Sequence, residues 1–203
     1  GFRPTLGIDP VLAVAPTEPP VSPHLMVSLR PANRPEQRQL DSHARPSAVQ
    51  IRRWAAAIDE IATTRGWSVR FVAWDNSHDA LIHEQTAALL TVSSTLESPT
   101  AEAVMDRMGD GAAVLTMRYH GAVAAIRSSR PALVLDYSPK MADLVGEIDE
   151  GLVLVAPDAE SKVMVEAFNQ LPAGTVRRSL GDLEPRVLAN RDVVRVLAEA
   201  CGT

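Results

Sequence analysis

The sequence has 203 residues, of which 46% are hydrophobic and 22% are charged, and its net charge is −5. The length provides apolar material for one large domain or two small ones. The acidic balance argues against a nucleic-acid-binding protein, and no apolar run approaches the about 20 residues that span a bilayer. The single cysteine, Cys201, excludes an intrachain disulfide and is typical of a reducing compartment, so we expect a cytoplasmic protein.

The first part of the chain contains two short apolar runs, at 11–15 and 25–29, and each has the length of a strand. The polar, proline-flanked segment after them has no periodicity and predicts a long loop over 30–46. This loop is either a solvated surface loop or an active-site lid. From Ser47, a plausible N-cap, apolar residues recur at helical spacing, which predicts an amphipathic helix that ends near Gly66.

The rest of the chain alternates between strand-like and helical segments. The predicted strands are 67–74, 91–95, 112–117, 132–137 and 152–156, of which 91–95 is the weakest. The predicted helices are 79–90, 98–109, 121–128, 139–148, 159–170 and 185–200. The alternation and the continuous apolar strands predict a single α/β domain over 1–203, with a doubly wound, Rossmann-like parallel sheet and helices on both faces. Ligands of such sheets bind at the carboxyl ends of the strands.

The segment Arg118-Tyr119-His120 lies between the predicted strand 112–117 and the next helix. This places it at the carboxyl end of a strand and at the positive end of a helix dipole. A guanidinium can hold phosphate or carboxylate through two parallel hydrogen bonds, and a histidine can transfer a proton near neutral pH. Gly121 would let the backbone approach a ligand closely. The alternative is structural, with the arginine capping carbonyls and the histidine a satisfied polar residue.

Two further cations follow predicted strands. Arg30 ends the strand at 25–29, so that it and Arg118 could converge on one anion. Lys140 lies in the first turn of a helix that Ser138 could cap, where the helix dipole disfavours a cation. An anionic ligand nearby would explain Lys140, and the alternative is a lysine exposed to solvent.

The polar cluster Asp75-Asn-Ser-His78-Asp79 ends another strand and could form an acid–base cluster or a metal site. Its spacing matches no metal signature, and Asp79 could simply cap the next helix, so we predict no metal. The sequence contains no G-x-G-x-x-G after the first strand, no Walker A lysine and no G-x-S-x-G elbow. Dinucleotide binding and serine-hydrolase chemistry are therefore unsupported.

Four segments together resemble the C-terminal half of the polysaccharide pyruvyl transferases. They are GIDPVLAV at 7–14, VSLRP at 27–31, MRYHGAVAAIRSSRP at 117–131 and LVLDYSPKM at 133–141. The resemblance departs from the family at Tyr119, where leucine is more common, and in the long loop. It implies the donor-side domain of a two-domain enzyme of the GT-B type, so we expect this chain to be the C-terminal half of a larger protein.

The family resemblance also implies an activity and a site. Such enzymes take phosphoenolpyruvate as donor, without a cofactor, and attach its pyruvyl group as a ketal to a sugar or polysaccharide precursor. Arg30 and Arg118 would hold the phosphate and carboxylate of the donor, and His120 would be catalytic. The other residues that we expect at the donor site are Tyr119 and Lys140 and, with weaker support, Tyr137, Ser138, His78 and Asp79.

The chemistry of ketal formation asks for residues of this kind. Phosphoenolpyruvate carries nearly three negative charges, which two or more fixed cations would balance. Its enol carbon must be protonated before hydroxyls attack, and a histidine could supply that proton or later accept one. The sequence does not distinguish these two roles, and it carries no signal for the acceptor sugar or the oligomeric state.

Two other functions fit the same architecture. A GT-B nucleotide-sugar glycosyltransferase would need a carboxylate for the ribose, for which Asp136 and Asp143 are loose candidates. A non-catalytic Rossmann-like binding module would instead have His120 buried and paired with backbone.

Overall fold

The computed structural model describes residues 21–31, 46–148, 150–174 and 176. The strands are β1 (Ser22–Ser28), β2 (Ser68–Val72), β3 (Ser94–Glu97), β4 (Gly111–Thr116), β5 (Ala132–Leu135) and β6 (Leu152–Val155). The helices are α1 (Ala48–Arg65), α2 (Asn76–Ala87), α3 (Val104–Gly109), α4 (Tyr119–Arg127), α5 (Pro139–Glu147) and α6 (Ser161–Asn169). The predicted strand 11–15, the interior of the loop 30–46 and the predicted helix 185–200 lie outside the described residues.

All six strands pair in parallel in one sheet, in the order β3-β2-β1-β4-β5-β6. The strand order reverses between β1 and β4, because the chain returns from β3 at one edge to the middle of the sheet. The two central strands pair in register as far as Ser28 and Thr116, and the amide of Met117 donates to the carbonyl of Ser28 at 2.8 Å. Such a switch point is where doubly wound sheets bind ligands.

Helices cover both faces of the sheet, as the sequence pattern predicts. One core lies under α1, α2 and α6 and includes Trp54 and Phe71, and the other lies under α3, α4 and α5 and includes Met26 and Met141. Every residue of β4 and β5 is buried, which explains why these strands are continuously apolar. None of the helices in the described parts of the chain combines the length and the apolarity that a membrane span requires.

The ends of α1 follow the capping rules that the sequence suggests. Ser47 and Gln50 form a capping box, in which the hydroxyl of Ser47 accepts from the amide of Gln50 and the Gln50 side chain accepts from the amide of Ser47. Gly66 ends the helix in the left-handed conformation at φ 66°. A residue without Cβ adopts that conformation at little cost, so the predicted stop is confirmed.

Several predicted boundaries are wrong by a few residues. The strand predicted over 132–137 is β5, which ends at Leu135, and the helix predicted over 98–109 is α3, which begins only at Val104. The residues before it form a turn instead, in which the amides of Ala103 and Val104 donate to the carbonyl of Thr100, and the N-cap Ala103 makes no side-chain capping bond.

The strand predicted over 67–74 is β2, which ends at Val72, and the helix predicted from Asp79 is α2, which begins at Asn76. The reason is that Asp75 caps this helix, its Oδ1 accepting from the amide of Ser77 at 3.0 Å, so that polar residues resembling a loop form the first turn. The weak strand predicted at 91–95 lies at 94–97, as an exposed edge strand.

Candidate functional site

The site expected from the sequence lies where β1 and β4 end. Arg30 and Arg118 each follow the last paired residues of these strands, Ser28 and Thr116, by two positions. They therefore emerge next to each other at the carboxyl edge of the sheet. The side chains then run in different directions, which the register alone does not show.

The side chain of Arg118 extends towards the first half of the sheet. Its Nη2 donates to Oδ1 of Asp79 in an ion pair, and 19% of the side chain is exposed. Because Asp79 follows β2 and β1 lies between β2 and β4, this side chain crosses the end of β1. Its Nε is buried and has no hydrogen-bond partner among the described residues. Arg118, which we expected to bind a ligand, thus already forms an ion pair with an internal carboxylate. Its Nε is still available as a hydrogen-bond donor.

Asp79 does not cap a helix, contrary to one interpretation of the sequence. It is fully buried in the first turn of α2. Its Oδ2 accepts from the amides of Trp74 and Asp75 at 3.0 and 3.1 Å. Two backbone donors therefore fix the carboxylate, and its other oxygen is directed at Arg118.

The side chain of Arg30 extends towards the second half of the sheet. Its guanidinium carbon lies 4.6 Å from the ring centroid of Tyr137, and its Nε donates to the carbonyl of Pro31 at 3.3 Å. Because Tyr137 follows β5 and β4 lies between β1 and β5, this side chain crosses the end of β4. The two arginines thus cross the switch point in opposite directions, and each leaves a cation above a central strand.

His120 lies in the first turn of α4, which begins at Tyr119 with Arg118 as its N-cap. It is exposed at the surface. Its ring stacks on Trp74, with centroids 5.9 Å apart and planes inclined by 28°, and Tyr119 approaches it edge-on at 5.6 Å. A non-catalytic module was expected to have His120 buried, whereas the structure exposes it.

The structure gives Gly121 a role in packing, besides the approach to a ligand that the sequence suggests. A Cβ at this position would lie 2.3 Å from Oγ1 of Thr116, so glycine lets α4 pack directly on β4. The same hydroxyl accepts from the amide of Arg118 at 2.9 Å. Gly121 therefore allows the close packing of α4 on β4. It also leaves room for the Thr116 hydroxyl that accepts the hydrogen bond of the Arg118 amide.

The residues after β5 occupy the same edge of the sheet. Ser138 occupies the N-cap position of α5, as predicted, but its side chain makes no capping hydrogen bond. Its amide instead donates to Oδ1 of Asp136 at 3.3 Å. Lys140 lies exposed in the first turn of α5.

The predicted Asp75, His78 and Asp79 cluster is divided by the fold. Asp75 and His78 pair at the surface, with Oδ2 and Nδ1 2.7 Å apart, while Asp79 is directed inward. Hydrogen bonds from Ser77 and His78 hold the pKa of Asp75 well below its usual range. Within the described ranges, no group of three histidine, cysteine or acidic side chains is arranged to hold a metal.

Two residues near this edge were missed in the sequence. His83, 1% exposed on α2, accepts the amide of Leu29 at Nε2 over 3.0 Å, and burial lowers its pKa to about 4. It lies four residues after Asp79, and this spacing on a predicted helix was a usable signal that both face the sheet. Trp74 closes the apolar run 67–74 at the carboxyl edge, where it is half-buried and its Nε1 is buried without a hydrogen-bond partner among the described residues.

The fold and this edge define a doubly wound, Rossmann-like α/β domain whose switch point carries two arginines. The chain belongs to the polysaccharide pyruvyl transferase family, whose model matches residues 1–139. No curated protein gives a significant sequence match.

Two solved structures share the fold. The UDP-GlcNAc 2-epimerase of Methanocaldococcus jannaschii, in complex with UDP-GlcNAc and UDP, matches 89% of this chain at 10% identity and a TM-score of 0.54. A putative UDP-N-acetylglucosamine 2-epimerase of Listeria monocytogenes matches 97% at 16% identity and a TM-score of 0.50. The chain covers 46% and 48% of these proteins, just under half of each, as one half of a GT-B-type architecture would.

Proposed function

We propose that this chain is the donor-binding half of an enzyme that transfers the pyruvyl group of phosphoenolpyruvate to a sugar, as a ketal, in polysaccharide biosynthesis. Family membership supports the reaction class. The observation that carries the proposal is the pair of arginines, Arg30 and Arg118, that leave neighbouring strands at the switch point and cross it in opposite directions. Two cations above adjacent strand ends suit a small ligand with separate phosphate and carboxylate groups.

The proposed reaction balances without a further reactant. A proton adds to the methylene carbon of phosphoenolpyruvate, and a sugar hydroxyl bonds to the neighbouring carbon, which has oxocarbenium character. Phosphate then leaves, and a second hydroxyl closes the ketal. The two hydroxyls lose two protons in all, which balance the proton gained by the methyl group and the one that leaves with phosphate.

His120 is the proposed proton-transferring group. It is exposed, it lies two residues after Arg118, and it stacks on Trp74. That position would let the imidazole reach both the donor and a sugar that approaches from outside this chain. Tyr119 and Lys140, at the same edge, are proposed to complete the donor site, with Lys140 adding a third cation. Extension of the domain over 1–203 and a cytoplasmic location remain predictions.

The test is donor binding by the 203-residue chain, measured by calorimetry and by thermal shift at millimolar phosphoenolpyruvate. We expect the donor to raise the melting temperature, and both Arg118→Ala and Arg30→Ala to weaken binding by at least tenfold. Arg65→Ala is the matched control, because Arg65 ends α1 and packs against Phe168 near the opposite edge of the sheet. It should bind the donor like the wild type.

The same measurement with UDP tests the glycosyltransferase alternative. A melting-temperature shift with UDP and none with phosphoenolpyruvate would contradict the proposal and favour nucleotide-sugar chemistry. An equal response to inorganic phosphate and to phosphoenolpyruvate would show that the donor carboxylate is not recognised, which also counts against the proposal.

A further inference from the structure

Helix α2 carries two buried polar side chains that face the switch point. Asp79 is fully buried and His83 is 1% exposed. They are four residues apart, so they lie on one face of the helix, one turn from each other. Acidic residues are rarely buried completely without a partner, and both side chains have partners that belong to the two central strand ends.

Asp79 holds the end of β4. One carboxylate oxygen is fixed by two backbone amides, and the other pairs with Nη2 of Arg118. The geometry of the ion pair is therefore set by the backbone between β2 and α2. Because an arginine side chain is otherwise rotationally free, this contact restricts its guanidinium before any ligand arrives.

His83 holds the end of β1. Its Nε2 accepts from the amide of Leu29, the residue directly before Arg30, and its ring packs against Phe71 at 5.2 Å between centroids. Accepting at Nε2 requires that the ring be uncharged with its proton on Nδ1. Burial lowers the pKa of His83 to about 4, opposed by the charge of Asp79 and reinforced by that of Arg118, so this form persists at neutral pH.

We propose that Asp79 and His83 are positioning residues, through which α2 holds Arg118 and the Leu29–Arg30 strand end in the arrangement that receives the anionic donor. The part that concerns the donor rests on the proposed function. Neither residue needs to touch the ligand. A ligand bound by ordered arginines loses less side-chain entropy than one bound by mobile arginines, so the two residues would act on affinity through the cations.

The first test is independent of any donor. In the proton–nitrogen NMR spectrum of the chain, the Nε–H of Arg118, assigned with Arg118→Lys, should be rigid and slow to exchange. In Asp79→Asn it should become mobile or broaden, because an amide cannot serve both the backbone donors and the guanidinium charge. In His83→Met the amide of Leu29 should lose at least tenfold in protection from hydrogen exchange, and His83→Gln, whose amide oxygen can still accept, should restore it.

The second test is the affinity for phosphoenolpyruvate, measured on the same variants at a temperature where each is folded. We expect the dissociation constant to rise at least tenfold in Asp79→Asn and severalfold in His83→Met, and to return close to the wild-type value in His83→Gln. Thr86→Val is the matched control, since Thr86 is equally buried on α2 and, among the described residues, its hydroxyl donates to the carbonyl of Ile82 in the same helix. It should change stability without changing affinity.

The outcomes separate the two proposals. An unchanged Arg118 Nε–H signal and unchanged Leu29 protection would overturn the positioning role, whether or not the chain binds the donor. Altered NMR signals with wild-type donor affinity would also overturn it, because the residues would then be merely structural. Loss of binding in Arg118→Ala with full binding in Asp79→Asn and His83→Met would leave the proposed function standing and remove only the positioning role.

Discussion

Trp74, which follows β2, and His120, in the first turn of α4, stack across the carboxyl edge of the sheet with their planes inclined by 28°. The two residues come from elements on opposite sides of the switch point, because the strand order reverses between β1 and β4, and β2 lies on the β1 side. The stack therefore fixes the proposed proton-transferring imidazole to the other half of the sheet.

We predict that the stack with His120 quenches the fluorescence of Trp74. His120→Ala should therefore raise the tryptophan emission of the chain at constant pH, because the ring that lies on the indole is removed. The rise should be absent in a Trp74→Phe background. Trp67→Phe is the control, because Trp67 packs against Phe168 elsewhere, and His120→Ala should still raise the emission in that background. An equal rise in the Trp74→Phe background would show that His120 acts on another tryptophan.

We predict that Gly121→Ala destabilises the protein by about 1–3 kcal/mol, the usual cost of overpacking. The added methyl would meet Oγ1 of Thr116 at 2.3 Å. Chemical denaturation measures this change, and Gly146→Ala is the control. No atom lies within 4 Å of a Cβ at Gly146 in α5, so alanine there should be neutral or stabilise by up to about 1 kcal/mol.

A double-mutant cycle tests the cause of the Gly121 effect. If the clash with Thr116 is responsible, Gly121→Ala should cost clearly less in a Thr116→Ala background than in the wild type. Additive effects of the two substitutions would mean that the methyl group meets something else.

We predict that His83 makes stability fall in weak acid. Its pKa is about 4 in the folded protein against an ordinary 6.5, because burial disfavours the charged ring. The unfolded chain therefore takes up the proton first as the pH falls, and stability is lost between about pH 6.5 and 4. The loss between pH 7.5 and 5 should be about 2 kcal/mol.

The measurement is the unfolding free energy of the wild type and of His83→Gln as a function of pH. Their difference should change over this window, while the acidic groups common to both cancel. A constant difference between the two curves would show that His83 does not titrate as the structure implies.

We predict that Asp79→Asn lowers the free energy of unfolding by about 3 kcal/mol, because it leaves a mostly buried guanidinium without its countercharge. Urea denaturation at neutral pH measures this loss. Glu84→Gln, an exposed change on the same helix, should stay within about 0.5 kcal/mol of the wild type. Equal effects of the two substitutions would mean that the ion pair of Asp79 with Arg118 adds nothing to stability.

The fold was predictable because the patterns that indicate its strands and helices each lie within a short stretch of sequence. Apolar runs identified the buried strands, and Ser47 and Gly66 bounded α1 by cap chemistry. The boundary between β2 and α2 was predicted wrongly because the polar residues there favour both loops and helix starts. The residues Asp75 to His78 resembled a loop because serine, asparagine and aspartate favour turns and helix caps alike.

The placement of the arginines at strand ends was also predictable, since it needed only the order of strands and helices. Their partners were not. The contact of Arg118 with Asp79 joins residues 39 positions apart, and that of Arg30 with Tyr137 joins two strand ends separated by β4. Which way a long side chain turns at the end of a strand depends on the neighbouring strand ends, and that information appears only when the sheet is assembled.

The opposite courses of the two arginines have a consequence for the integrity of the sheet. Arg118 follows β4, in the half formed by β4, β5 and β6, and its guanidinium pairs with Asp79 in the other half. Arg30 follows β1, and its guanidinium lies over Tyr137 in the half that contains β4. Each half of the sheet therefore supplies one arginine, and the residue that contacts its guanidinium belongs to the other half. The proposed anion site therefore depends on both half-sheets, and neither half alone would keep the contact that orients its own arginine.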